Sequence, residues 1–100
     1  QKKVFTSFHE MIEQSKEPVL VEFCDCRCRP CQMMGGILNE VAPSLRDRVK
    51  FVKVDSEKYP TVASKYQIGA LPTLILFKGG KPVDRIEGVV MAGDLKSRLE

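Results

Sequence analysis

The sequence has no tryptophan, a single histidine and only four cysteines, and all four cysteines fall between positions 24 and 31. Thiols crowded in this way cannot tie distant parts of a fold together, which excludes a secreted scaffold stapled by disulfides. No apolar run approaches the ~20 residues of a membrane-spanning helix. No secretory signal pattern is seen. The chain opens at Gln1-Lys2-Lys3 and not at Met, compatible with removal of an upstream segment. No Lys/Arg cluster interleaves with aromatics, so the net charge of +3 reads as a solvated surface and not as a nucleic-acid interface. Repeats and low-complexity segments are also lacking.

What remains is ordinary globular material. One hundred residues, 43% hydrophobic and 29% charged, suffice for one domain, residues 1–100, with its own core. Ser7-Phe8-His9-Glu10 is an S-x-x-E start, and Phe8, Met11 and Ile12 form one helical face that Glu17-Pro18 should end. His9 reads as a surface residue; a Cys–His dyad is the sharper alternative, but nothing brings His9 to the cysteines. Val19 to Phe23 is an apolar run of the kind found in a strand covered on both faces. Glu22 interrupts it. A buried carboxylate needs a task or a partner, so Glu22 either faces water at a sheet edge or serves the cysteines that follow.

Beyond Cys31, residues Met33, Met34, Ile37, Leu38, Val41 and Leu45 keep helical spacing, with both methionines expected in the core. Gly35-Gly36 should weaken this helix by about 1 kcal/mol per glycine, and Pro43 should bend or end it. Lys50 to Val54 is a second strand, Tyr59 to Tyr66 a short helix left at Gly69, and Thr73 to Phe77 a third strand. Gly79-Gly80 marks a hairpin turn, Val83 to Glu87 the returning strand up to Gly88, and Ala92 to Leu99 a final helix with Leu95 and Leu99 inward. The order is α, β-α-β, α, β-β-α. It predicts an α/β fold with a mixed sheet, helices on both faces and a right-handed crossover between the first two strands.

The chemistry is concentrated in Cys24-Asp25-Cys26-Arg27-Cys28-Arg29-Pro30-Cys31. A strand delivers these thiols to the start of a helix, where backbone N–H groups favour a thiolate. Cys28-x-x-Cys31 sets a second thiol within reach of the first, so a disulfide can open and close there. C-x-x-C beside a β-α-β pattern is the mark of a thioredoxin-like redox motif.

The sequence resembles the thioredoxin family over essentially its whole length, and looks most like the y-type plastid thioredoxins. Cys28-Arg29-Pro30-Cys31 stands where the family has C-G-P-C, and Val19 to Phe23 where it has its central strand. Ile37-Leu38-Asn39-Glu40-Val41, Glu57-Lys58-Tyr59-Pro60 and Ala63-Ser64-Lys65-Tyr66-Gln67-Ile68 look y-type. Ala70-Leu71-Pro72-Thr73 resembles the cis-proline loop and Lys78-Gly79-Gly80-Lys81 the hairpin. The departures are focal. Cys24 replaces an aromatic, Asp25 and Cys26 replace Ala and a small or polar residue, and Arg27 replaces Trp. Arg29 replaces Gly, and Gly36 replaces the helix-kinking Pro.

The resemblance implies a thioredoxin-like fold and a thiol–disulfide oxidoreductase, a protein-disulfide reductase. Cys28 would attack and Cys31 resolve, Glu22 would take the Cys31 proton with Lys53 beside it, and no cofactor is required. Arg27, Arg29, Pro30, Leu71, Pro72 and Gly88 would meet the substrate. Implied partners are disulfide-containing target proteins and a thioredoxin reductase, with no nucleic acid and no membrane. The implied location is the chloroplast stroma, or otherwise a soluble intracellular one. The residues themselves leave an alternative: Cys24, Cys26, Cys28 and Cys31 as ligands for zinc or an iron–sulfur cluster, shared in a dimer because an extended C-x-C must curl back to close a tetrahedron. An inert interaction module that keeps the fold is the third reading. Arg27 and Arg29 should favour the Cys28 thiolate and make the couple more oxidising.

Overall fold

A computed structural model describes residues 7–100, so the opening Gln1-Lys2-Lys3 lies outside the described residues. The elements run α1 (Phe8–Gln14), β1 (Val19–Cys24), α2 (Arg29–Leu45), β2 (Lys50–Asp55), α3 (Pro60–Lys65), β3 (Thr73–Lys78), β4 (Lys81–Glu87) and α4 (Ala92–Leu99). The four strands form one sheet in the order β2-β1-β3-β4. β1 pairs parallel with β2 and antiparallel with β3, and β3 pairs antiparallel with β4. The α/β mixed sheet expected from the apolar patterning is therefore present, with β1 central.

Strand alternation sorts the core into two layers. Val19, Val21 and Phe23 face one side with Met11 and Ile12 of α1, Val54, Ile75 and Phe77. Leu20 faces the other with Met34, Val41 and Leu45 of α2, Leu74, Leu76 and Leu95 of α4. The first layer carries an aromatic cluster in which Phe8, Tyr66 and Phe77 meet edge-on at centroid separations of 5.2–6.0 Å. Such contacts add about 0.5–1.5 kcal/mol per pair beyond burial.

Local signals placed most of the element ends. Ser7 caps α1, its hydroxyl accepting the Glu10 N–H at 3.0 Å, but the helix stops at Gln14, ahead of Glu17-Pro18. Pro43 lies inside α2, which runs on to Leu45. Of the methionine pair, Met34 is fully buried and Met33 is 58% exposed, because neighbours along a helix point about 100° apart. The exit from α3 is made by Gln67 at φ 53°, two residues before the expected Gly69. His9 is on the surface, paired with Glu13 at 3.1 Å.

Gly79 and Gly80 turn the β3–β4 hairpin at φ 60° and 81°. A Cβ on Gly80 would lie 2.6 Å from Glu13 Cγ and 3.4 Å from Glu13 Cα. Backbone strain and crowding act together here, so Gly80→Ala is expected to lower stability by about 1–2 kcal/mol, read as a fall in the urea midpoint with an unchanged m-value. An unchanged midpoint would contradict this.

Candidate functional site

The site forms where β1, at the centre of the sheet, hands the chain to α2. The turn from Asp25 to Cys28 closes with the Cys28 N–H donating to the Asp25 carbonyl at 3.0 Å. Asp25 Oδ1 accepts the Arg27 N–H at 2.9 Å and Glu-side contacts extend the turn outward: the Arg27 guanidinium bridges Asp25 Oδ2, at 3.1 Å, and Glu57. This double engagement holds the Asp25 carboxyl down at about 2, with the Arg27 hydrogen bond the largest cause. The Arg27 charge is shared with these two carboxylates, and Arg29, exposed at the first position of α2, carries no carboxylate partner among the described residues.

Cys28 is the N-cap of α2. Its Sγ accepts the Cys31 N–H at 3.2 Å, and Pro30 occupies the first turn, where a missing N–H costs nothing. Cys28 is half-buried and Cys31 is 4% exposed. Burial, followed by the hydrogen bond to Cys28, pushes the Cys31 thiol up to about 12. One thiol is thus reachable and held where helix N–H groups stabilise negative charge, and the other lies beneath it and keeps its proton at neutral pH.

Glu22 settles the choice between edge and interior. It sits on the central strand, 3% exposed, and Oε2 has no hydrogen-bond partner among the described residues. Alternation puts it on the Leu20 side of the sheet, the side that α2 covers with Met34, Val41 and Leu45. Burial raises its pKa above the ordinary carboxylate value, and Lys53, its register partner on β2, opposes that rise. A cavity of about 230 Å³ adjoins Glu22 and is lined by Gly35, Asn39 and Lys53 among others. Gly35 is one helical turn beyond Cys31, and a Cβ there would meet nothing within 4 Å. The space accommodates water, so a proton on Glu22 has a way out of the core.

Across the site, the Leu71–Pro72 bond is cis, and the Pro72 carbonyl accepts the Gly88 N–H at 2.8 Å. That bond sets the 88–91 segment, with Val89 and Met91 exposed, beside the Leu71-Pro72 loop.

All four thiols are free, and their surroundings differ. Cys24 is 2% exposed, its Sγ on the Val54 carbonyl at 3.7 Å, and burial pushes it up to about 11. Cys26 is exposed on the turn. Among the described residues, no three or more His, Cys, Asp and Glu side chains converge as a metal site. Sequence spacing could not reveal the Arg27–Glu57 contact, made across 30 positions; the only signal was Asp25 two residues before Arg27.

The family model described as Thioredoxin matches residues 1–100. Thioredoxin Y1, chloroplastic, of Arabidopsis thaliana is 50% identical over 100 residues, covering 100% of this chain and 58% of that protein. Thioredoxin Y2, chloroplastic, of the same plant is 52% identical, covering 100% and 60%. A thioredoxin-like protein of Synechocystis is 50% identical over 99 residues, covering 99% and 94%. The chain thus spans about three-fifths of the length of the plant relatives and nearly all of the cyanobacterial one. A solved chain from work on thiol resolution in yeast mitochondrial 1-Cys peroxiredoxin via glutathione/thioredoxin systems superposes with a TM-score of 0.84. It is 28% identical, and the match covers 96% of this chain and 88% of that one.

Proposed function

The chain belongs to the thioredoxin family, and on that premise we propose that it reduces protein disulfides through a Cys28/Cys31 dithiol. The observation that carries this reading is the placement of the pair: Cys28 half-buried at the cap of α2, its sulfur on the Cys31 N–H, with Cys31 buried below.

The Cys28 thiolate attacks a target disulfide, and the target's other sulfur leaves as a thiolate. Cys31 then attacks the Cys28 sulfur of the mixed disulfide. Its high pKa makes proton removal the demanding step, and Glu22, on the same side of the sheet, is the base. Lys53 stabilises the Glu22 carboxylate it adjoins. The surface made by exposed Arg29, Pro30, Val89 and Met91 with half-buried Leu71 and Gly88 receives the target segment, with Pro72 supporting it from within and the Leu71 backbone pairing with it. The chemistry needs no cofactor. A zinc or cluster reading finds no support in four thiols with such different surroundings. The plastid names of two relatives support a chloroplast location, and family membership supports disulfide-containing proteins as targets with a thioredoxin reductase as donor.

The test is reduction of a protein disulfide by the chemically reduced protein, which should proceed with loss of the Cys28 and Cys31 thiols; failure to reduce it would contradict the proposal. The redox potential should also respond to the flanking cations. Removing a cation weakens the thiolate and so makes the couple more reducing. Arg29→Gly is expected to lower the potential by on the order of 10–20 mV, and Arg27→Trp by less, because Arg27 already faces two carboxylates. Equilibration against a glutathione buffer measures both. A rise in potential, or a larger effect from Arg27, would overturn this.

A further inference from the structure

Cys24 and Cys26 take no part in the exchange above, and they are not equivalent. Cys24 is 2% exposed, its sulfur held on the Val54 carbonyl at 3.7 Å at the floor of an open cavity. Cys26 is exposed, its sulfur makes no hydrogen bond among the described residues, and it borders an open cavity of about 320 Å³ whose wall Cys24, Lys53, Asp55, Lys58 and Tyr59 complete. It therefore has room to change rotamer and direct access to water.

The turn brings it to Cys28. Along an extended strand, residues i and i+2 stand ~6.5–7 Å apart, at the upper edge of the roughly 4.4–6.8 Å that a disulfide spans between Cα atoms. Cys26 and Cys28 are not on a strand. They lie around a bend closed by the Cys28 N–H on the Asp25 carbonyl at 3.0 Å and pinned by Arg27 on Asp25 and Glu57. A bend shortens the i to i+2 span below that of a strand, toward the middle of the disulfide range. The C-x-C step that is awkward between Cys24 and Cys26 is favourable between Cys26 and Cys28.

We propose that Cys26 is a second resolving thiol for the mixed disulfide on Cys28. This rests on the reading of Cys28 as the attacking thiol. Cys26 loses its proton to water and attacks the Cys28 sulfur. The Cys26–Cys28 bond forms, the bond from Cys28 to the target breaks, and the target departs as a thiolate that takes up a proton. No electrons enter or leave beyond those of the original exchange. Attack of Cys31 on the same Cys28 sulfur then moves the disulfide to Cys28–Cys31 and frees Cys26. The route differs from the buried one in needing no base in the core, so it releases targets even when Glu22 holds its proton.

The test uses full-length protein and a dye-labelled symmetric peptide disulfide, with bonds mapped by mass spectrometry under non-reducing conditions. Were Cys31 the only resolving thiol, Cys31→Ser would hold the peptide indefinitely. Here Cys31→Ser is expected to release it and leave a Cys26–Cys28 bond, roughly tenfold or more faster than Cys26→Ser/Cys31→Ser, which should stay trapped. Cys24→Ser/Cys31→Ser should release as Cys31→Ser does. Equal lifetimes with and without Cys26, or release that depends on Cys24, would overturn the proposal. The underlying reading fails separately: Cys28→Ser protein that reacts with the peptide as the wild type does would remove the attacking thiol itself. Cys26 is exposed, so its replacement is expected to leave the far-UV spectrum unchanged.

Discussion

Cys28→Ser is expected to lose disulfide reduction by at least about 10³-fold, with the fold intact. The sulfur removed is the only one of the four that is both reachable and set at a long helix's N-terminus, and a serine hydroxyl is a far weaker nucleophile than a thiolate. Neither of the buried thiols can replace it, since both Cys24 and Cys31 are pushed up well above neutral pH. Cys26 is exposed but carries no helix N–H on its sulfur. A turbidity assay on a reducible protein substrate reads the loss; retained turnover would show that the attacking group lies elsewhere.

The second large effect belongs to Glu22→Gln, and it has two parts of opposite sense. Resolution should slow by roughly 10²-fold in a Cys26→Ser background, while the first attack by Cys28 is nearly unchanged. Stopped-flow measurement of the two steps separates them, and equal slowing of both would contradict proton removal by Glu22. Stability should rise. The folded-state pKa of Glu22 lies above its unfolded value of 4.5, so its contribution is fully present below that value and is lost as pH rises through the folded pKa. The variant is isosteric and uncharged, so its advantage over the wild type should appear at pH 7–8 and vanish below about pH 4.5. An advantage that persists at pH 4 would point to a cause other than ionisation.

These two residues also show how far the sequence could be read. The order of elements was legible because Val19–Phe23 and Thr73–Phe77 are apolar runs, Phe8/Met11/Ile12 keep a helical face, and Gly79-Gly80 demands a turn; the register pairs β1 with β3 accordingly. The C-x-x-C pair was legible because its chemistry depends on spacing along one chain. Glu22 was ambiguous because a strand's place in a sheet is set by pairings distant in sequence, and only β1 lying between β2 and β3 makes the carboxylate interior. Met33 and Met34 look alike to composition and differ by a rotation about the α2 axis. The Arg27–Glu57 pair is invisible to local spacing because Glu57 comes from another loop. The division of the spare thiols into a buried Cys24 and an exposed Cys26 depends on where β1 ends and the turn begins, a boundary the residues alone do not mark.

The central claim is that electrons leave through Cys28 and Cys31, and a bond map tests it most directly. Fully reduced protein is reacted with an equimolar protein disulfide, free thiols are alkylated, and the remaining disulfide is located by peptide mass spectrometry. The account predicts a Cys28–Cys31 bond with Cys24 alkylated once the protein is unfolded. Substrate reduced while Cys28 and Cys31 both remain free thiols would contradict it.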